Sequence, residues 1–210
     1  MNVVILISLA FLAAALTILA DYQAKRKLVY LLRPLTMLLI IAIAFIGHRE
    51  SDSIYRMAIS GGLVFSLAGD VFMMQRRKRF TAGLLMFLIA QFFYIRAFLT
   101  GLTLRFSPWP LIPLLLYALV FMWFLYPRLG KMKIPVLIYV LVIITMVRLA
   151  AERSFQFHET GPWLAIFGAV FFMLSDSVVA FIRFVRPFKA AQAIILSTYF
   201  LAQGLLALSV

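Results

Sequence analysis

The sequence predicts an all-α integral membrane protein, an eight-transmembrane-helix bundle with both termini on the non-cytoplasmic side. Three observations carry that prediction. Apolar residues make up 65% of the 210 and charged residues only 13%, about half the charged share of a soluble domain. The apolar residues come in unbroken runs of about 20, the length that crosses a hydrocarbon core. Basic residues collect in alternate links between those runs, the pattern that orients a membrane protein.

Only helices and closed barrels span lipid. Barrel strands alternate apolar and polar residues, and these runs do not alternate. In chain order the spans are read at 3–20, 28–47, 54–74, 80–99, 109–126, 134–150, 162–182 and 190–208. The first is read as a retained span rather than a cleaved leader, because its positive charges follow it instead of preceding it.

The links set the orientation. Lys25, Arg26 and Lys27 follow span 1, and Arg76, Arg77, Lys78 and Arg79 follow span 3. Arg128, Lys131 and Lys133 follow span 5, and Arg183, Arg186 and Lys189 surround the link after span 7. The odd links therefore hold thirteen basic residues, against three (Arg49, Arg105 and Arg153) in the even links. Loops 21–27, 75–79, 127–133 and 183–189 are expected in the cytoplasm. This also explains the net charge of +13, which in a soluble chain would suggest nucleic acid. Membrane lipids, not nucleic acid, are the expected partners. Short links without a soluble domain fit a bacterial inner (plasma) membrane.

No cysteine is present, so no thiolate chemistry is expected. His48 and His158 fall in links and read as solvated residues, so no metal site is expected. The chain reads as one membrane domain, 1–210, with a trace of two parallel repeats, 1–104 and 105–210. At an offset of 106, Gly62, Val64, Phe65 and Asp70 fall on Gly168, Val170, Phe171 and Asp176. Four spans separate the copies, so both would have the same orientation.

Chemistry concentrates on two acids. A charged Asp at a helix centre costs about 2.5–3.5 kcal/mol on insertion scales. Of seven acids, Asp70 and Asp176 alone lie well inside spans. Each sits near the cytoplasmic end of a span running outside to inside, so the two share a depth. Gly62, Ser66, Gly69 and Asp70 form one stripe of span 3. Gly168, Phe172, Ser175 and Asp176 do the same on span 7. Small residues let helices approach closely, so both carboxylates are expected to face the bundle interior. Each either pairs with a buried Arg or works in a site.

Arg33 lies in the same layer, on span 2. Its planar fork suits a phosphate, and its long stem equally suits snorkelling to the headgroups. Pro34 leaves the Tyr30 carbonyl unpaired and predicts a kink. Gln91 and Tyr94 share a face of span 4, and Tyr199 and Gln203 a face of span 8. They orient a substrate or tie helices together. Arg96 and Arg148 are expected to snorkel outward. Two carboxylates in one apolar site cannot both ionise cheaply, which supplies an acid and a base to one pocket. That suits protonation of an acid-labile bond followed by water attack, as in glycoside or vinyl ether hydrolysis. It also suits a proton relay in a small-solute or lipid transporter.

These motifs carry a family resemblance. Ser66, Leu67, Ala68, Gly69 and Asp70, a basic link, then Phe87 to Tyr94 resemble the YhhN family of membrane proteins, the lysoplasmalogenases. So do the run Phe171 to Ala180, with Ser175 and Asp176, then Phe184, and the run Thr198 to Gln203. Arg33, Pro34 and Leu35 fit as well. The resemblance covers nearly the whole chain. It implies hydrolysis of the vinyl ether of a lysoplasmalogen to a fatty aldehyde and glycerophosphoethanolamine or glycerophosphocholine. Asp70 and Asp176 would be acid and base, with no cofactor. Arg33 would meet the phosphate of the lysophospholipid substrate, and Gln91, Tyr94, Tyr199 and Gln203 would line the wall. Family members commonly carry Lys at position 33 and often His at position 91, so this chain departs at both.

Overall fold

The structure is a computed structural model, described here for residues 3–47, 52–75, 79–103 and 109–210. His48, Arg49, Glu50, Arg105 and the run Arg76, Arg77 and Lys78 lie outside the described residues. Eight helices follow in order: α1 (Val3–Tyr22), α2 (Arg26–Ile46), α3 (Ser53–Met74), α4 (Phe80–Phe98), α5 (Leu111–Leu125), α6 (Lys133–Gln156), α7 (Thr160–Phe184) and α8 (Ala191–Leu208). Two single 3₁₀ turns, Tyr126–Arg128 and Gly130–Met132, link α5 to α6. No strand occurs among the described residues. All eight helical segments are long and apolar enough to cross a membrane, and the chain is an all-α multi-pass membrane protein.

Local chemistry explains the helix ends. Asp52 caps α3, its carboxylate accepting the Ile54 amide at 2.7 Å. Pro113, Pro135 and Pro162 stand within the first turns of α5, α6 and α7, where an amide hydrogen has no helical partner to lose. Pro34 lies inside α2, and the helix continues through it from Arg26 to Ile46.

One boundary differs from the span read in the sequence by more than two residues. α6 runs on to Gln156 rather than stopping near 150. Its charged last turns looked like a link, but each charged side chain finds a partner in the bundle. Arg148 donates to Glu152 at 2.8 Å, one turn on, and Glu152 is buried. Arg153 is likewise helical, not a link residue. It donates to the Thr100 carbonyl and lies over the Tyr55 ring at 4.6 Å. Arg148 therefore turns to Glu152 rather than snorkelling alone, and Arg96 donates to Thr100 at 3.2 Å.

Contacts sort the helix ends. Tyr30, at the start of α2, donates to the Met74 carbonyl at the end of α3. The Arg183 guanidinium, at the end of α7, lies over Phe80 at the start of α4. These are the odd-link ends, gathered on one side. On the other side Tyr55, at the start of α3, bonds Ser209 beyond α8 at 2.8 Å.

Without a hydrophobic drive between helices in lipid, close packing of small residues holds the bundle. α3 packs most intimately on α4, and α7 on α8. A Cβ at Gly62 would lie 2.2 Å from the Tyr94 ring, and one at Gly69 2.9 Å from Phe87. A Cβ at Gly168 would lie 3.0 Å from the Ala202 carbonyl oxygen. α5 stands apart, with only Leu114 and Leu125 buried.

Candidate active site

Both glycine stripes deliver their aspartates inward. Ser66 and Asp70 on α3 are fully buried, as is Phe172 on α7, and Ser175 is nearly so. The two carboxylates then meet different partners.

Asp70 faces α2. Arg33 Nη2 donates to Asp70 Oδ1, forming a buried ion pair. The guanidinium also faces the Tyr199 ring, 5.9 Å from its centroid. A buried charge left alone would be costly, and pairing offsets part of that cost. Arg33 is therefore engaged by a carboxylate through Nη2 while it also lines the cavity described below.

Asp176 faces α6. Its Oδ2 accepts the hydroxyl of Tyr139. The sequence reading did not single out Tyr139, because one Tyr in an apolar span carries no signal alone. A signal did exist: the offset of 106 that superposes Asp70 on Asp176 also superposes Arg33 on Tyr139. Beside this pair, the Tyr117 and Ser177 hydroxyls bond each other and tie α5 to α7.

Asp176 opens onto a cavity of about 450 Å³. Its inner wall carries Arg33, Tyr139, Tyr199 and Ser175. Aliphatic and aromatic side chains such as Phe87, Phe121, Ile143, Ile144 and Met173 form most of the remainder. Phe80, Arg183, Phe184 and Pro187 line it at the odd-link side. Asp70 is not part of this wall. It stands behind Arg33, with Oδ2 buried and outside ordinary hydrogen-bond geometry.

Of the remaining sequence candidates, Tyr199 lines the cavity, while Gln91, Tyr94 and Gln203 sit in a buried polar layer beside it. Tyr94 donates to Gln203 Oε1 at 2.7 Å and meets Ser66 Oγ at 3.2 Å, joining α3, α4 and α8. Tyr199 donates to the Ser66 carbonyl at 3.3 Å. Rings of Phe87, Tyr94 and Tyr199 surround Phe172 at centroid distances of 6.0, 6.1 and 6.3 Å, within the favoured range for aromatic pairs. The fully buried Gln91 has neither amide atom in an ordinary hydrogen bond, and it lies against Tyr139.

Chemically, the arrangement sets a carboxyl with a phenol donor in a largely apolar cavity. A carboxylate–guanidinium pair backs it across Arg33 and Tyr199. It can deliver a proton to a bound apolar molecule and stabilise a cation that forms there.

The YhhN family profile matches residues 28–210. The uncharacterized membrane protein YhhN of Escherichia coli O6:H1 is 30% identical over 191 residues, 90% of each chain. Lysoplasmalogenase TMEM86A of Homo sapiens is 38% identical over 160 residues, 70% of this chain and 62% of the human protein. Lysoplasmalogenase TMEM86B of Mus musculus is 35% identical over 152 residues, 72% of this chain and 62% of the mouse protein. No solved structure matches. With a family match over most of its length, and with eight helices that can span a membrane, the chain belongs to the YhhN family of integral membrane proteins.

Proposed function

We propose that this protein is an intramembrane hydrolase of lysoplasmalogenase type, cleaving the vinyl ether of a 1-alkenyl lysophospholipid. The observation that carries the reading is Asp176, held by Tyr139 on the wall of an otherwise largely apolar cavity. Relatives named lysoplasmalogenase support it.

The two aspartates divide the work by their partners. Asp70 is matched to the positive charge of Arg33 and serves as the fixed anion of the site. Asp176 has a phenol rather than a cation as its hydrogen-bond partner, and it is the acid. Its carboxyl proton goes to the β-carbon of the vinyl ether, whose π electrons form the new C–H bond. The α-carbon becomes an oxocarbenium ion, stabilised by the carboxylate left beside it. Water adds to that carbon and returns a proton to Asp176, as in acid–base glycoside cleavage. The hemiacetal hydroxyl proton passes to the glycerol oxygen as the C–O bond breaks. A fatty aldehyde and a glycerophospho-alcohol leave, and the acid is restored.

By the positive-inside rule, the odd-link side faces the cytoplasm and the cavity takes its substrate from that leaflet. The test is aldehyde release from 1-alkenyl lysophosphoethanolamine by detergent-purified protein, with the saturated 1-alkyl ether as control. Release from the alkenyl lipid alone is expected. Folded protein that releases no aldehyde would overturn the reading.

A further inference from the structure

Arg33 looks from the sequence like the group that meets a phosphate, yet the fold engages its guanidinium with Asp70. The other cation on the cavity wall is Arg183. It lies seven residues beyond Asp176 on α7, at i+7 and so on the same face. Two helical turns separate them, about 10.5 Å at the α-helical rise.

The Arg183 guanidinium lies over the Phe80 ring, 4.5 Å from its centroid. Stacking uses the face of the guanidinium and leaves its in-plane N–H donors available. Arg183 is exposed and has no ion pair among the described residues. A cation is thus held over a ring at the mouth, without a hydrogen-bond or ion-pair partner among the described residues, two turns from the acid. A second polar group, Gln192 at the start of α8, also lines this cavity.

We infer that Arg183 is the anion subsite of this cavity and takes the phosphate diester of a single-chain glycerophospholipid. The inference rests on the hydrolase reading and deepens it. With the phosphate on Arg183, the short glycerol backbone bridges toward Asp176 and brings the first carbons of the sn-1 chain to the acid. The rest of the chain continues among the apolar side chains. The arrangement also sets polarity: the headgroup stays at the mouth, and a lipid entering tail-last cannot present its ether to Asp176. Planar, bidentate recognition of a phosphate favours Arg over Lys.

The test uses the full-length protein in detergent and two substrates with the same alkenyl chain. One is 1-alkenyl lysophosphoethanolamine and the other is 1-alkenylglycerol, which lacks the phosphate. Arg183→Gln is expected to raise KM for the phosphate-bearing substrate by about tenfold or more, with kcat little changed. Its activity on 1-alkenylglycerol should match wild type, and Arg183→Lys should recover part of the loss. Equal losses on both substrates, or no loss on either, would overturn the subsite. A second measurement needs no turnover: thermal stabilisation of the protein by the non-cleavable 1-alkyl lysophosphoethanolamine. Wild type should be stabilised and Arg183→Gln much less so. Equal stabilisation would overturn the inference even if the wild type proved to have no hydrolase activity.

Discussion

The two aspartates occupy equivalent places in the two halves of the chain and differ in what holds them. In the first half, Asp70 on α3 receives Arg33 from α2. In the second, Asp176 on α7 receives Tyr139 from α6. The partner stands 37 residues upstream in both cases. One contact is an ion pair whose carboxylate lies behind the cavity wall, and the other is a hydrogen bond from a phenol on the wall itself. The difference teaches that a buried carboxylate is not functional by burial alone. On the proposed reading, a cation beside it makes it a fixed charge, whereas a neutral donor beside a cavity leaves it able to exchange a proton with what binds there.

Breaking the reactive side should have the largest effect. Asp176→Asn is expected to lower aldehyde release by at least about a hundredfold, the low end of general acid catalysis, with the melting temperature close to wild type. Single-turnover assays alongside a thermal melt check both. Converting one side into the other sharpens the contrast. Tyr139→Arg would give Asp176 a cation like that of Asp70, and turnover should fall as far as in Asp176→Asn while the helix content by circular dichroism is kept.

Breaking the ionic side should act on stability first. Arg33→Gln leaves Asp70 buried without its cation and is expected to cost about 3–5 kcal/mol. The double variant Arg33→Met, Asp70→Leu should recover most of that loss, because removing both charges removes the desolvation problem. Denaturation in mixed micelles measures both. If the single and double variants were equally unstable, the pair would not be acting as a charge pair.

Milder changes test what supports the two sides. Tyr139→Phe removes one hydrogen bond to the Asp176 carboxyl, worth about 0.5–1.5 kcal/mol, and should slow turnover by up to about tenfold without unfolding the protein. Gly62→Ala would press on the Tyr94 ring and should cost about 1–3 kcal/mol through overpacking. Gly204→Ala meets no atom within 4 Å and should be near neutral in the same melt.

Much of this was legible beforehand. The eight spans follow from run length, since a hydrocarbon core demands unbroken apolar helices whatever their neighbours are. Asp70 and Asp176 stood out for the same reason, because an acid in mid-span is costly and rare. The end of α6 was not legible. Arg148, Glu152 and Arg153 look like link residues until Glu152 is seen buried against Arg148 and Arg153 bonded to Thr100. Gln91, Tyr94, Tyr199 and Gln203 were read as lining a substrate wall or tying helices, but not that Tyr199 alone of the four would line the cavity. Helical spacing places side chains on a face and says nothing of how far the next helix stands from it.

The sequence by itself determined the class of the molecule, the number of crossings and the two acidic positions, because the cost of polar groups in lipid acts on each segment separately. Tertiary structure alone decided which partner each acid meets, a cation for Asp70 and a phenol for Asp176. It also decided that Arg33 turns to Asp70 while Arg183 faces the cavity mouth, and that only Asp176 reaches the cavity wall. Those outcomes depend on distances between helices far apart in the chain, which the packing of Gly62, Gly69 and Gly168 against their neighbours sets.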